Sequence, residues 1–174
     1  NRNAYSASTD FTGDFLNEGI IKNADGGGNL TLNLYNDVVN DGSWDNYYTY
    51  LKGSMAQTIS CLNGNIVKSG NFVVQNTSGQ IYAAGDLNFE NTQIDFTNNN
   101  LELYPDHDLN VNGGRLYRAN VFSNMESEFN FTNGAYLYNT TIEDGTLMGE
   151  TQCYGTVSFG EIVNNGILQN RDAY

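Results

Sequence analysis

The residues with the most chemistry to offer in this sequence are its carboxylates. Asp106-His107-Asp108 sets two acids around the only histidine, and Arg115 and Arg118 follow as a close basic pair. Two carboxyl groups about 5–9.5 Å apart on one face can split a glycosidic bond by paired acid and base work. A lyase would instead need a base to abstract a proton and cations to neutralise a uronate. Nothing around these residues marks a substrate cleft, and Asx side chains favour turns through their own backbone hydrogen bonds. Turn duty is the simpler account of Asp106-His107-Asp108.

Two further groups carry binding chemistry. Glu18, Asp41, Asp86, Asp106, Asp108 and Asp144 approach one edge of the molecule in the register derived below. Oxygen-rich corners suit Ca²⁺, which takes 6–8 oxygen ligands, so calcium is the cofactor these acids would take. Neither an EF-hand spacing nor a glycine-rich nonapeptide repeat is present. The densest aromatic group is Trp44, Tyr47, Tyr48 and Tyr50, and Tyr117, Tyr136 and Tyr138 form a second. Aromatic faces stack on sugar rings while their polar tips stay wet, which makes the first group the expected glycan site. The competing account is that these rings fill or cover the scaffold as ladders. Thr92, Thr97, Thr132 and Thr140 make no flat ranked array of the kind that would bind ice.

What must position these residues is a repeat. Residues 13–23 read GDFLNEGIIKN, residues 36–46 NDVVNDGSWDN and residues 160–170 GEIVNNGILQN. Apolar pairs recur near Phe15, Val38, Cys61, Ile81, Leu101, Val121, Ile142 and Ile162, in steps of 20 to 23 residues. A second column runs through Ile21, Trp44, Ile66, Leu87, Leu109, Phe129, Leu147 and Leu168. A third runs through Leu32, Tyr48, Phe72, Ile94, Leu116, Tyr136 and Val157. Three short strands per period, each alternating in and out, predict an all-β, right-handed parallel β-helix of about eight coils. A single coil cannot bury its apolar face, but stacked coils share a core. Gly19, Gly42, Gly64, Gly85, Gly145 and Gly166 are placed at one recurring corner. At ~4.8 Å per coil the rod is roughly 38 Å long. A hairpin sandwich would show two-residue turns instead of this three-column step.

Composition agrees with a single β domain over residues 1–174. The chain has 28 Asn and 19 Gly but one Pro, and 20 acids against 7 Lys and Arg, for a net charge of −13. Such a surface repels nucleic acid and anionic lipid. No apolar run reaches the roughly 18 residues of a membrane-spanning helix. Cys61 and Cys153 fall about four coils apart, too far for a disulfide, which predicts two free, mostly buried thiols. Asn1 opens the chain without an initiator Met, as in a mature or excised segment. The pentapeptides Asn1-Arg2-Asn3-Ala4-Tyr5 and Asn170-Arg171-Asp172-Ala173-Tyr174 nearly match, as tandem or end-to-end stacking would produce.

The stretch Leu51-x-Gly53-x-x-x-Gln57-x-Ile59, preceded by Asn40-Asp41-Gly42-Ser43-Trp44, resembles a phrase of large repetitive surface proteins of the Bacteroidota. The likeness is best over residues 36–76. It implies a β-helical, extracellular or cell-surface module and no particular activity. No C-terminal sorting domain of the kind those proteins carry is recognisable. Galacturonan hydrolases of β-helical shape use Gly-His-Gly and Arg-x-Lys, and neither occurs here. The expected function is therefore a non-catalytic structural or adhesive module, such as a stalk, adhesin repeat or filament subunit. Its partners would be copies of itself or flanking repeats end to end, and surface glycans. A carbohydrate-binding module is the alternative, and a polysaccharide lyase or hydrolase the third reading.

Overall fold

The computed structural model describes residues 5–25 and 27–171. Among them every strand pairing is parallel, and the chain winds as a β-solenoid of about eight turns. The first turn is β1 (Ala7–Phe11), β2 (Phe15–Asn17) and β3 (Ile20–Lys22). The second is β4 (Leu30–Leu34), β5 (Val38–Asn40) and the first half of β6 (Ser43–Leu51). β6 bends around a corner and opens the third turn, which continues through β7 (Gln57–Cys61) into β8 (Val67–Val74). β9 (Gln80–Ala83), β10 (Leu87–Asp95), β11 (Asn100–Leu103) and β12 (Leu109–Tyr117) repeat the pattern. β13 (Asn120–Phe122), β14 (Glu128–Thr132), β15 (Tyr136–Glu143) and β16 (Gly145–Phe159) carry it upward. β17 (Ile162–Asn164) completes the eighth turn and β18 (Ile167–Asn170) begins a ninth.

Three ladders follow. On the first face Thr9, Leu32, Thr49, Phe72, Ile94, Leu116, Leu137, Cys153 and Asn170 lie one above another. The second face runs from Phe15 through Val38 and Ile59 to Ala83, then from Leu101 through Val121 and Ile142 to Phe159. The third carries Ile21, Trp44, Val67, Phe89, Val111 and Phe131. Their inward side chains form one continuous apolar core.

The columns expected from sequence are mostly these, with instructive slips. Tyr48, Ile66 and Tyr136 point outward, and the inward residues are their neighbours Thr49, Val67 and Leu137. Strand side chains alternate with a period of two, so an error of one residue exchanges core for surface. The last turn is also shorter, since Ile142 pairs with Phe159. That moves Val157 to the second face and Ile162 to the third.

The third copy of the repeated phrase therefore lies one face further round than the first two. What the phrase encodes is a corner. Asn17, Asn40 and Asn164 each accept, on Oδ1, the backbone N–H of the glycine two residues on, at 3.1, 3.4 and 3.1 Å. Five of the six expected corner glycines lie between the second and third faces, whereas Gly166 lies between the third and first. Gly42 shows why a glycine is needed: a Cβ there would stand 2.3 Å from the Gly19 carbonyl oxygen of the turn below.

The Leu51-x-Gly53-x-x-x-Gln57-x-Ile59 phrase is also a corner. The Gln57 Nε2 donates to the carbonyls of Leu34 and Asn36 at 3.2 and 2.7 Å, and its Oε1 accepts from Gly53 N at 3.0 Å. Asn76 Nδ2 completes the knot at 2.8 Å. One side chain thus satisfies buried backbone groups that the sharp bend removes from the ladders.

Candidate functional site

Outward positions of the first face form two adjacent columns. One reads Thr31, Tyr48, Asn71, Gln93, Arg115, Tyr136 and Gln152. The other reads Asn33, Tyr50, Val73, Asp95, Tyr117, Tyr138 and Tyr154. Tyr48 and Tyr50 of the first aromatic group and all three tyrosines of the second therefore share one face, three turns apart, which is roughly 14 Å at the ladder spacing.

The lower group loses a member. Trp44 is 1% exposed, packs in the core against Phe15, and donates its Nε1–H to Asn46 Oδ1 at 3.0 Å. A buried Trp with its N–H satisfied is a structural residue, so the expectation that it faces a sugar is corrected. Tyr47, Tyr48 and Tyr50 stay at the surface, with Tyr48 stacked on Tyr50 at 5.8 Å and Lys52 Nζ 5.1 Å above the Tyr50 ring. The Tyr48 phenol is pushed above its ordinary pKa, chiefly by the charge of Tyr47 and then by burial.

The upper group is larger than the sequence suggested. Tyr138 lies between Tyr117 and Tyr154, with ring centroids 4.7 and 4.9 Å apart. With Arg115 and Tyr136 these rings line a shallow depression of ≈ 300 Å³. Arg115 lies 5.5 Å and Arg118 4.7 Å from the Tyr117 ring, and Arg171 lies 3.8 Å from Tyr136. Arg118 is tied to Asp95 and its pKa is raised by that hydrogen bond. Arg115 donates to Gln93 Oε1 at 2.6 Å and to the Tyr136 hydroxyl at 3.3 Å, and meets no carboxylate among the described residues. Three of the chain's seven cationic side chains thus gather on one patch of an acidic rod. Tyr154 and Arg171 were missed in the sequence, although the Tyr117-to-Tyr138 spacing of one turn was the signal that led to them.

The six acids do share an edge. Glu18, Asp41, Asp86, Asp106, Asp108 and Asp144 all stand at the corner between the second and third faces. Most serve that corner. Asp41 Oδ1 accepts from Asn63 Nδ2 at 2.7 Å and Asn65 Nδ2 at 3.3 Å, Asp86 Oδ1 from Asp108 N at 3.1 Å, and Asp108 Oδ1 from Glu128 N at 2.8 Å. Asp106 and Asp144 hold left-handed backbone, at φ 64° and 60°. Asp106 also raises the Glu126 carboxyl pKa by sharing a hydrogen bond with it. Among the described residues no three His, Cys, Asp or Glu side chains come together as a metal cage. The acids are spread over several turns of the corner, whereas calcium takes 6–8 oxygens around one point. His107 Nδ1 lies 3.4 Å from Asp86.

No family model, curated protein or solved structure matches the chain. Both thiols are free, with Cys61 buried and Cys153 half-exposed. They stand five turns apart rather than four. Burial pushes the Cys61 pKa up to about 11. Among the described residues no helix is long and apolar enough to cross a membrane.

Proposed function

We propose that the chain is a non-catalytic structural or adhesive module of a bacterial surface or extracellular assembly, a stiff rod that extends by stacking its ends on further copies. The observation that carries this reading is the pairing of the strands in the terminal turns. Among the described residues β1, β2 and β3 each pair with one neighbour only, as do β17 and β18. Apolar side chains stand open there: Ile20 is 76%, Leu16 56% and Ile167 59% exposed. Unpaired strand edges beside apolar surface recruit another chain, and a solenoid turn reaches full burial only with a neighbour on each side. Electron microscopy of the native protein tests this. Continuous fibres with an axial rise per copy of ~38 Å, about eight turns at the ladder spacing, are expected. Discrete short rods at every concentration would refute it.

The Tyr117–Tyr138–Tyr154 stack with Arg115 supports a second reading, a carbohydrate-binding face. Stacked phenols suit sugar rings, and an arginine that meets no carboxylate among the described residues suits an acidic sugar. No observation favours a lyase or hydrolase.

A further inference from the structure

The end-to-end contact has a definite geometry if the stacking reading holds, and two independent features of the chain fix the same one. We infer that each copy docks on the one below rotated by one face, about a third of a turn, so that β2 of the upper copy pairs with β17 and β3 with β18.

The first feature is the shape of the upper end, which is a step and not a flat lid. β18 already fills the first face of a ninth turn, while the second and third faces still end at Val157–Phe159 and at β17. A solenoid climbs one face at a time, so among the described residues the next open place is on the second face. The first strand of an incoming copy, β1, must land there, although within its own copy it lies on the first face. β2 then falls over β17 and β3 over β18. Docking without rotation would put β1 over β18 and β2 over Val157–Phe159, and the chain would have to descend between them.

The second feature is the repeated phrase. Within the chain, residues 13–23 form the layer beneath 36–46, with Phe15 under Val38, Asn17 under Asn40 and Ile21 under Trp44. Asn17 Nδ2 donates upward to Asn40 Oδ1 at 2.8 Å. The third copy, at 160–170, forms the top layer and sits one face round. Placing 13–23 of the next molecule over it repeats the contact already seen. Ile162 would meet Phe15, Leu168 would meet Ile21, and Asn164 Nδ2 would donate to Asn17 Oδ1. Asn164 is prepared for this, since its Oδ1 already holds Gly166 N at 3.1 Å as Asn17 holds Gly19.

The outward positions agree. Val163 and Ile167 on top and Leu16 and Ile20 below are apolar and exposed. The rotated register lays Val163 against Leu16 and Ile167 against Ile20, giving four apolar pairs, two inside and two outside. Such cross-strand pairs are the unit of ladder stability.

Disulfide trapping between single-cysteine chains tests the register, in a Cys61→Ala, Cys153→Ser background. Neighbouring strands in a ladder are about 4.8 Å apart, within the Cα separation a disulfide spans. Mixing Val163→Cys with Leu16→Cys is expected to yield a cross-linked dimer on oxidation, and mixing Gln169→Cys with Ser8→Cys, which share one outward column and would meet in an unrotated stack, to yield none. The reverse pattern would overturn the rotated register while leaving stacking intact. A helical reconstruction of fibres of the unaltered protein reads the same geometry without substitution. The tyrosine column of the first face should shift by one face at every junction, and an unbroken column would overturn the inference. Absence of both fibres and cross-links would overturn the stacking reading itself.

Discussion

The middle turns and the terminal turns are built from one repeat but finished differently. Ile81, Ile94, Leu101, Leu116, Val121, Phe129, Phe131 and Leu137 are fully buried, whereas the equivalent Phe15, Ile21, Val157, Phe159 and Ile162 are only partly so. The residue types are the same. The number of neighbouring turns is not, so burial in this molecule is a property of the stack and no turn owns its own core.

The largest expected effect comes from emptying the middle. Phe131→Ala removes a fully buried ring between two complete turns, and should cost about 3–5 kcal/mol of unfolding free energy. Ile21→Ala takes away a half-buried side chain with no turn beneath it among the described residues, and should cost about 1 kcal/mol in the isolated rod. Urea denaturation at low protein concentration checks both. Equal losses would mean that the end turn is already covered. If copies stack, the Ile21→Ala penalty grows with protein concentration, because association stabilises only the folded chain.

A smaller effect separates the two thiols along the same line. Cys61 is enclosed on the second face with a pKa raised to about 11, while Cys153 lies near the upper end and is half-exposed. The folded state keeps Cys61 as a thiol where the unfolded chain, at the ordinary value of 9.0, releases its proton. Stability tied to this group is therefore intact below pH 9 and falls as pH rises towards 11. The loss is at most about 3 kcal/mol. Comparing pH-dependent unfolding of the native chain with Cys61→Ala isolates it. A matching pH dependence in both would remove the effect. At pH 8 an alkylating reagent should modify Cys153 and leave Cys61 untouched until the protein unfolds.

The solenoid, its three columns and its acidic corner were legible because stacking imposes a period, and apolar residues such as Leu87, Leu109, Phe129 and Leu147 keep to it. Direction within a strand was not. At Tyr47-Tyr48-Thr49-Tyr50 the tyrosines compete as core candidates, and only the paired partners Leu32 and Phe72 show that Thr49 faces inward. Trp44 was misread for the same reason, since nothing local told that Asn46 would satisfy its N–H inside the core. The phase of the third repeat was hidden because Asn-x-Gly marks a corner without saying which of the three corners it is. The grouping of Arg115, Arg118 and Arg171 was equally hidden: Arg171 lies 53 residues from Arg118 in the chain and meets it only through the ladder of Leu116, Leu137 and Cys153.

The weakest expected effect concerns the tyrosine stack, which starts in the sixth turn and ends in the eighth. Tyr138 is its middle ring, touching Tyr117 below and Tyr154 above, so Tyr138→Ala breaks a sugar-sized platform into two separate rings. An aromatic contact of this kind contributes about 0.5–1.5 kcal/mol, which corresponds to a loss of roughly two- to tenfold in affinity for a uronic-acid polysaccharide. Tyr50→Ala, on the lower group, should change affinity less, because that group has Lys52 beside it but no third stacked ring. Arg115→Gln should weaken acidic polysaccharides and spare neutral ones. Affinity electrophoresis against both classes reads all three substitutions without demanding that the rod assemble. Retention of full affinity in Tyr138→Ala would remove the upper stack as the sugar platform. If the binding site spans only the rings of one copy, affinity per copy stays constant as fibres form, because the rotated junction turns the next tyrosine column on to another face.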